Sequence, residues 1–291
     1  MYYFLSLLSG ILLAVMIALN GGLALQYGLY WAAVFIHVTG LIFLVMLLLA
    51  KKEWPFAKRH AWYLYLGGII ATLNVLIHNI AFTRLSLSAM LALVLLGQSV
   101  MGLVIDHYGL LGMQKYPFRK EKLWSLSLIL CGIWIMLTEF DLVMVALLLL
   151  AGAGIVLSRT INVRLSILTS REISAFFHFF VALLASVVLY FLFAEGETPL
   201  WGAVLSFRWY LYLGGVIGAA VIVINNFVAA RIAAFYLALA IFIGQVLTGV
   251  LIDTVLTGAF SVRIFLGATL VASGLVANLF LDRRKETLRR S

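Results

Sequence analysis

The sequence is short of most of what a water-soluble globule is built from. Only 11% of its 291 residues are charged, against roughly 25% in ordinary soluble domains, so a water-facing surface cannot be assembled and a soluble fold is excluded. A single cysteine, Cys131, excludes an intrachain disulfide and a cysteine-cluster metal site. Three prolines, and no polar stretch beyond about 20 residues, leave no room for a separate soluble domain. The start, Met1-Tyr2-Tyr3-Phe4-Leu5, has no basic region and no small-residue cleavage site after its apolar run, so it reads as a retained helix. H-E-x-x-H, a paired-Asp motif, G-x-S-x-G and the phosphate-binding G-x-x-x-x-G-K-[ST] loop are all missing. The chain is therefore not expected to be an enzyme, no cofactor is expected, and energy for any work would come from gradients. The last shortage is positional: no Asp or Glu falls in the middle of an apolar run.

What is abundant is hydrocarbon. The chain is 65% hydrophobic, with a mean hydropathy of +1.16. Its apolar runs are about the length that crosses roughly 30 Å of bilayer core. Ten candidate helices follow, at 3–24, 30–50, 62–83, 87–105, 123–138, 142–164, 173–193, 209–230, 233–252 and 263–281. The fold class expected is an all-α membrane protein of ten transmembrane helices. Arg84 and Ser86 lie in a tight turn between the third and fourth, with Ser86 a candidate N-cap, and Glu139-Phe140-Asp141 separates the fifth and sixth. Ten spans put both termini on one side. That side collects seventeen of the 20 Lys and Arg residues, leaving Arg84, Arg208 and Arg263 on the other. The positive-inside rule then makes the N- and C-termini cytoplasmic, and the net charge of +9 becomes an orientation signal rather than a nucleic-acid surface. Trp31, Trp54, Trp62, Trp124, Trp201 and Trp209 near span ends fit an aromatic belt.

The two halves of the chain are alike. Trp62-Tyr63-Leu64-Tyr65-Leu66-Gly67-Gly68 recurs from Trp209 to Gly215, an offset of 147, and the same offset carries Asn79 to Asn226, Gly97-Gln98 to Gly244-Gln245 and Asp106 to Asp253. Near the start of each half the offset is 142, pairing Gly10 with Gly152 and Asn20 with Asn162. This divides the chain into a first five-helix repeat, 1–140, and a second, 141–291, that includes the basic C-terminal tail. Five is odd, so the direct repeat in sequence becomes an inverted one in the membrane. Asp106 then lies at the cytoplasmic side, Asp253 at the outer side, and Gln98 and Gln245 near the midplane. Inverted repeats around a midplane site are the architecture of alternating access.

The segment Leu96-Gly97-Gln98 through Ile105-Asp106-His107-Tyr108-Gly109 to Gly112, with Leu66-Gly67-Gly68 and the early Asn20, resembles the YdcZ-type inner-membrane exporter family of the drug/metabolite transporter (DMT) superfamily. Members of about half this length have five spans, so the chain resembles two such units fused. In the second half Thr254-Val255-Leu256 stands where the first has His107-Tyr108-Gly109. The resemblance implies two five-helix halves around a central cavity lined by the first, third and fourth helices of each, in a bacterial-type cytoplasmic membrane, and it implies no particular substrate.

Polar residues inside apolar runs are the candidate substrate-binding set: Gln98, Gln245, Asn74, His78, Asn20, Asn162, Asn225 and Arg159. An amide in hydrocarbon must find a partner or face protein or water. Gln98 and Gln245 thus either line a substrate path or bond the two repeats together. Asn74 and His78, four apart, share a helix face, whereas their counterparts Val221 and Asn225 make that face asymmetric. Asn79 and Asn226 read equally as helix-end or cavity residues. Arg159 stands where the first half has Ile17. It reads first as a snorkelling side chain, and alternatively as a partner for an anionic substrate group or a gating carboxylate. His37 and His178, early in their helices, are expected at the interface.

The function expected is a secondary-active or facilitative transporter of a small polar metabolite or drug-like compound, consistent with efflux by alternating access; a lipid or isoprenoid-carrier translocase is the competing class. Without a mid-membrane carboxylate, transport is either facilitated or coupled through His78 or the terminal aspartates, and the substrate is neutral, zwitterionic or anionic. The partners expected are that small molecule and the lipid bilayer, with no nucleic acid, and fusion of both halves lets a monomer suffice.

Overall fold

Hydrocarbon holds no water to take up unpaired backbone groups, so a chain this apolar closes them within helices. The computed structural model describes residues 1–57, 59–108, 122–136, 141–195, 208–229, 231, 234–274 and 276, and every regular element among them is helical. The helices are α1 (Tyr2–Tyr27), α2 (Leu29–Lys51), α3 (Gly67–Phe82), α4 (Leu87–Tyr108), α5 (Lys122–Met136), α6 (Leu142–Leu168), α7 (Arg171–Phe193), α8 (Leu213–Ala229) and α9 (Ala234–Thr257), followed by α10 (Val262–Gly274). The repeated Trp-Tyr-Leu-Tyr forms a 3₁₀ turn both times, Trp62–Tyr65 leading into α3 and Trp209–Tyr212 into α8. Among the described residues seven helices are long and apolar enough to cross a membrane, and the apolar stretches Leu87–Gly102, Ser127–Met136 and Val262–Gly274 are shorter. The basic tail from 277 onward, Trp201, Glu139-Phe140 and the side chain of Asp106 lie outside the described residues.

Local signals set several helix ends. The Asp141 carboxylate accepts from Val143 N–H at 3.0 Å and Met144 N–H at 3.1 Å, capping α6, and Ser170 Oγ accepts from Ile173 N–H at 3.1 Å, capping α7. Ser86 Oγ accepts from Ala89 N–H at 3.3 Å at the start of α4. Gly28, at φ 90°, makes the one-residue corner between α1 and α2.

Packing follows the small residues. Helix α1 lies along α9 and α8, and α6 lies along α4 and α3; α2 packs on α7 and α8, and α7 on α2 and α3. Exchanging α1 with α6, α2 with α7, α3 with α8 and α4 with α9 returns the same set of neighbours. The exchange holds to individual atoms. Gly10 sits against the Ile241 carbonyl and Gln245 N–H, and Gly152 against the Val94 carbonyl and Gln98 N–H; Gly244 meets Leu7, and Gly97 meets Leu149; Gly215 meets the Ile36 carbonyl, and Gly68 the His178 carbonyl. Each contact is its companion shifted by 142 on one helix and 147 on the other. A Cβ at Gly10, Gly97, Gly152 or Gly244 would collide with main chain of the neighbouring helix, so these crossings are as close as backbones can come.

Contacts between helix ends fall into two groups. At one end of the bundle Lys51 pairs with Glu172, Asn226 donates to the Arg171 carbonyl, and the Arg231 guanidinium stands 5.8 Å from the Tyr2 ring. At the other, Tyr27 and Tyr212 hydroxyls lie 2.6 Å apart, Arg84 pairs with Asp141 at 3.2 Å, and Asp253 takes up the first amides of α4. Trp31 departs from the expected aromatic belt: it is 3% exposed and packs on Phe35 and Tyr190. By contrast Trp54, Trp62, Trp124 and Trp209 are all exposed. The reason is the one-residue corner at Gly28, which folds the start of α2 inward.

Candidate functional site

The glycine crossings draw α1, α9, α4 and α6 together, and between them, with α2, α3, α7 and α8, a cavity of about 200 Å³ remains. All eight candidate residues, Asn20, Asn74, His78, Gln98, Arg159, Asn162, Asn225 and Gln245, line it. So do Asn79 and Asn226. Of its 27 lining residues, 26 form thirteen pairs related by the 142 and 147 offsets, among them Leu13 with Ile155, Val94 with Ile241 and Gln98 with Gln245. Gly214 is the one left over, and its counterpart Gly67 lies against Asn162 Oδ1 as Gly214 lies against Asn20 Oδ1. The cavity therefore sits where the two halves exchange. Among the described residues its lining contains no Asp, Glu or Lys.

Arg159 does not snorkel. Its side chain turns back along α6 into the cavity, where Nη2 donates to Gln98 Oε1 at 3.3 Å. Long helical side chains lean toward the N-terminal turn, which for Arg159 is the direction of the midplane rather than of the near membrane face. No hydrogen bond joins Gln98 to Gln245, so among the described contacts that pair does not tie the halves together.

His37 and His178 also depart from expectation. Rather than sitting at an interface, they are 2% and 9% exposed and line the cavity. Ser186 Oγ donates to the Ala182 carbonyl at 2.8 Å, so it accepts from His37 Nδ1 at 2.7 Å. An amide nitrogen only donates, so Asn162 Nδ2 gives its proton to His178 Nδ1 at 2.9 Å. The Phe179 ring stands beside both imidazoles, 5.8 Å from His37 and 5.7 Å from His178. A signal for His37 was present: Ala33, Gly40 and Leu44 share its helix face, and all are buried. Ser158 was missed as well; its Oγ donates to the Gly67 carbonyl at 3.0 Å, in register with Asn162 one turn on.

Four buried polar atoms of the lining have no protein partner: Asn20 Oδ1, His78 Nε2, Asn79 Nδ2 and Asn225 Oδ1. His78 is informative because its Nδ1 lies 2.7 Å from the Asn74 carbonyl, which can only accept. The proton is on Nδ1, and Nε2 of the neutral ring presents a lone pair. Buried polar groups are rarely left unpaired, and these four are open to a partner within the cavity. Asp253 is not part of this lining: its carboxylate accepts from Leu87 N–H at 2.8 Å and Ser88 N–H at 2.9 Å.

Comparison with known proteins accords with this arrangement. A solved structure described as "Crystal structure of protein" matches over 98% of this chain and 97% of its own, with a TM-score of 0.65 and 17% identity, a likeness of fold alone. No curated protein matches the chain. The sequence model of one family, described as "Putative inner membrane exporter, YdcZ", matches twice, over residues 1–135 and 143–277. Those two matches together span nearly the whole chain, and the protein belongs to the YdcZ family of inner-membrane exporters.

Proposed function

We propose that the protein carries a small polar metabolite or drug-like compound across the inner membrane by alternating access. In this reading all ten helices cross the bilayer as two five-helix units of opposite orientation, 1–140 and 141–291, with both termini cytoplasmic. The observation that carries it is the paired lining of the cavity: thirteen pairs from the two halves surround one small volume. If the halves trade conformations, the lining maps onto itself while the open side changes, which is what a carrier requires. The backbone crossings at Gly10, Gly97, Gly152 and Gly244 supply a pivot whose geometry the exchange preserves. The two groups of end contacts are the seals that would open in turn.

Asn20, Asn74, His78, Gln98, Arg159, Asn162, Asn225 and Gln245 are the substrate contacts in this proposal. Coupling through Asp253 is disfavoured, because that carboxylate is committed to the first amides of α4. The test is uptake into proteoliposomes holding the purified protein, with and without a proton gradient, for compounds that raise its melting temperature. Saturable uptake that is lost when either group of end contacts is locked by a cross-link, at Lys51 and Glu172 or at Tyr27 and Tyr212, supports the reading. Binding without uptake of any binder refutes it. Gradient dependence unaffected by both Asp106→Asn and His78→Gln would overturn the coupling scheme.

A further inference from the structure

We propose that the cavity selects small organic acids: molecules with one carboxylate or equivalent singly charged oxyanion, held by Arg159 and Gln98, and at least one hydroxyl, amide or ammonium donor for the unpaired acceptors. The inference rests on the transporter reading and names its substrate class.

Charge comes first. Among the described residues the lining holds one permanently charged group, the Arg159 guanidinium, and no carboxylate. Its polar contact with the protein is a long one, 3.3 Å from Nη2 to Gln98 Oε1, which occupies one of the five N–H donors that a guanidinium offers. A buried cation is held at low cost only when an anion shares its site. One guest carboxylate brings the balance to neutral, a dianion leaves an excess negative charge, and a cation leaves two positives in one small volume. Guanidinium also meets carboxylate in a planar two-point fit that ammonium cannot reproduce. Gln98 keeps its amide N–H groups as further donors beside it.

Size and complementarity narrow the class. A volume of about 200 Å³ has room for roughly seven waters at the ~30 Å³ each takes up in the liquid, which suits a compact ligand of about that many non-hydrogen atoms or a few more. Ile155, one turn before Arg159 on α6, and Val94, one turn before Gln98 on α4, both line the cavity and flank the proposed carboxylate position with apolar surface. Elsewhere Asn20 Oδ1, His78 Nε2 and Asn225 Oδ1 are acceptors without donors. None carries a charge, so they suit hydroxyl or N–H groups of a guest and would not by themselves hold a bare cation against Arg159. Hydroxy acids meet both requirements in full; an amino acid offers the same carboxylate and donor, but its ammonium leaves one positive charge in the cavity, so it should bind more weakly than its hydroxy-acid analogue.

The experiment compares four compounds that share one carbon body: leucine, its hydroxy-acid analogue, leucine methyl ester and leucinol. Binding to the purified full-length protein in detergent is read as a shift in melting temperature over a concentration series. A wider set of acids and amines of matched size is run alongside. The acids are expected to bind and the ester and amino alcohol to bind at least tenfold more weakly. Arg159→Gln should weaken the acids at least tenfold and change the ester less than twofold, and Arg159→Lys should recover part of the loss. The proposal is overturned if cations bind as well as acids, if no acid in the matched set binds, or if Arg159→Gln leaves acid binding unchanged. Should Arg159→Gln fail to fold, Gln98→Leu and Arg159→Lys carry the comparison, with acid affinity unmoved in both counting against it. Transport of cations would refute this substrate class and leave the carrier reading intact, whereas acid binding with no transport would refute the carrier and leave the site.

Discussion

Replacing Asp253 by Ala should destabilise the protein by about 3 kcal/mol, and the number can be built from the geometry. Asp253 is 7% exposed, and its two carboxylate oxygens accept the Leu87 and Ser88 amides at 2.8 and 2.9 Å. Those amides are among the four at a helix start that have no intrahelical acceptor, and a carboxylate there also meets the positive end of the α4 dipole. Removal leaves two buried N–H groups unpaired, at about 1–3 kcal/mol each. The relief of no longer burying a charge offsets part of that sum, which brings the net to about 3 kcal/mol. Asp253→Asn keeps one acceptor and loses the charge, so about half the cost remains. At roughly 2–4 °C per kcal/mol for large chains, the Ala variant should melt about 6–12 °C below the parent in detergent, with Asn between them. The cap also bridges α9 of the second half to α4 of the first, so the loss should appear as loosening of that end of the bundle, read as faster amide exchange at the start of α4. An Ala variant that melts within about 1 °C of the parent, or an Asn variant as unstable as Ala, would refute the reasoning.

Other outcomes follow from single contacts. Gly10→Ala and Gly152→Ala each drive a Cβ into a neighbouring backbone carbonyl, whereas nothing lies within 4 Å of the Cβ position at Gly102; both should therefore lose several degrees in a thermal melt, with Gly102→Ala neutral or slightly better for helix propensity, by about 1 kcal/mol at most. Asn162→Leu breaks the 2.9 Å bond to His178 and should cost about 1–2 kcal/mol, but Asn20→Leu removes an unpaired acceptor and should leave stability level or higher while reducing uptake; equal stability losses would sink that distinction. The Asp141 carboxyl is held below its ordinary value of 3.8 chiefly by the Met144 amide, helped by Arg84 and Val143. A carboxyl whose folded-state pKa is depressed contributes stability that is full above its ordinary pKa and lost as pH falls through the depressed one, so an acid melt series should show a loss below roughly pH 4 that is smaller in Asp141→Asn.

Much of this fold was legible because bilayer physics leaves few alternatives. Among the described residues each of the ten apolar runs contains a helix, and seven of these are long and apolar enough to cross a membrane. The site residues stood out because an amide or guanidinium inside hydrocarbon is costly, so Gln98, Asn20 and Arg159 announce themselves by type alone. Position within a helix was the weaker guide. His37 and His178 were placed at the interface by their distance from the helix start, but burial depends on which neighbours a helix face meets, and α2 and α7 cross each other there. Arg159 illustrates the same limit: sequence gives its depth along α6, whereas the backward lean of the side chain decides that it enters the cavity.

The paired lining also explains why the chemistry is one-sided. Backbone contacts are shared by the two halves, glycine for glycine, but the polar residues are shared only in part: Asn20 with Asn162, Asn79 with Asn226 and Gln98 with Gln245 repeat, whereas Arg159 answers Ile17, His178 answers Ile36, His37 answers Phe179, and Asn74 answers Val221. With Ile36 in the place of His178, Asn20 Nδ2 lacks the ring acceptor to which Asn162 Nδ2 donates, and its Oδ1 is unpaired as well. A carrier assembled from two identical units would be bound to place two guanidiniums across one small cavity, where like charges repel. Fusion into one chain removes that constraint. In the proposed carrier it lets the glycine crossings, which an exchange of conformations would have to preserve, stay the same in both halves while a single cation and the unpaired neutral acceptors would define one orientation for a bound acid.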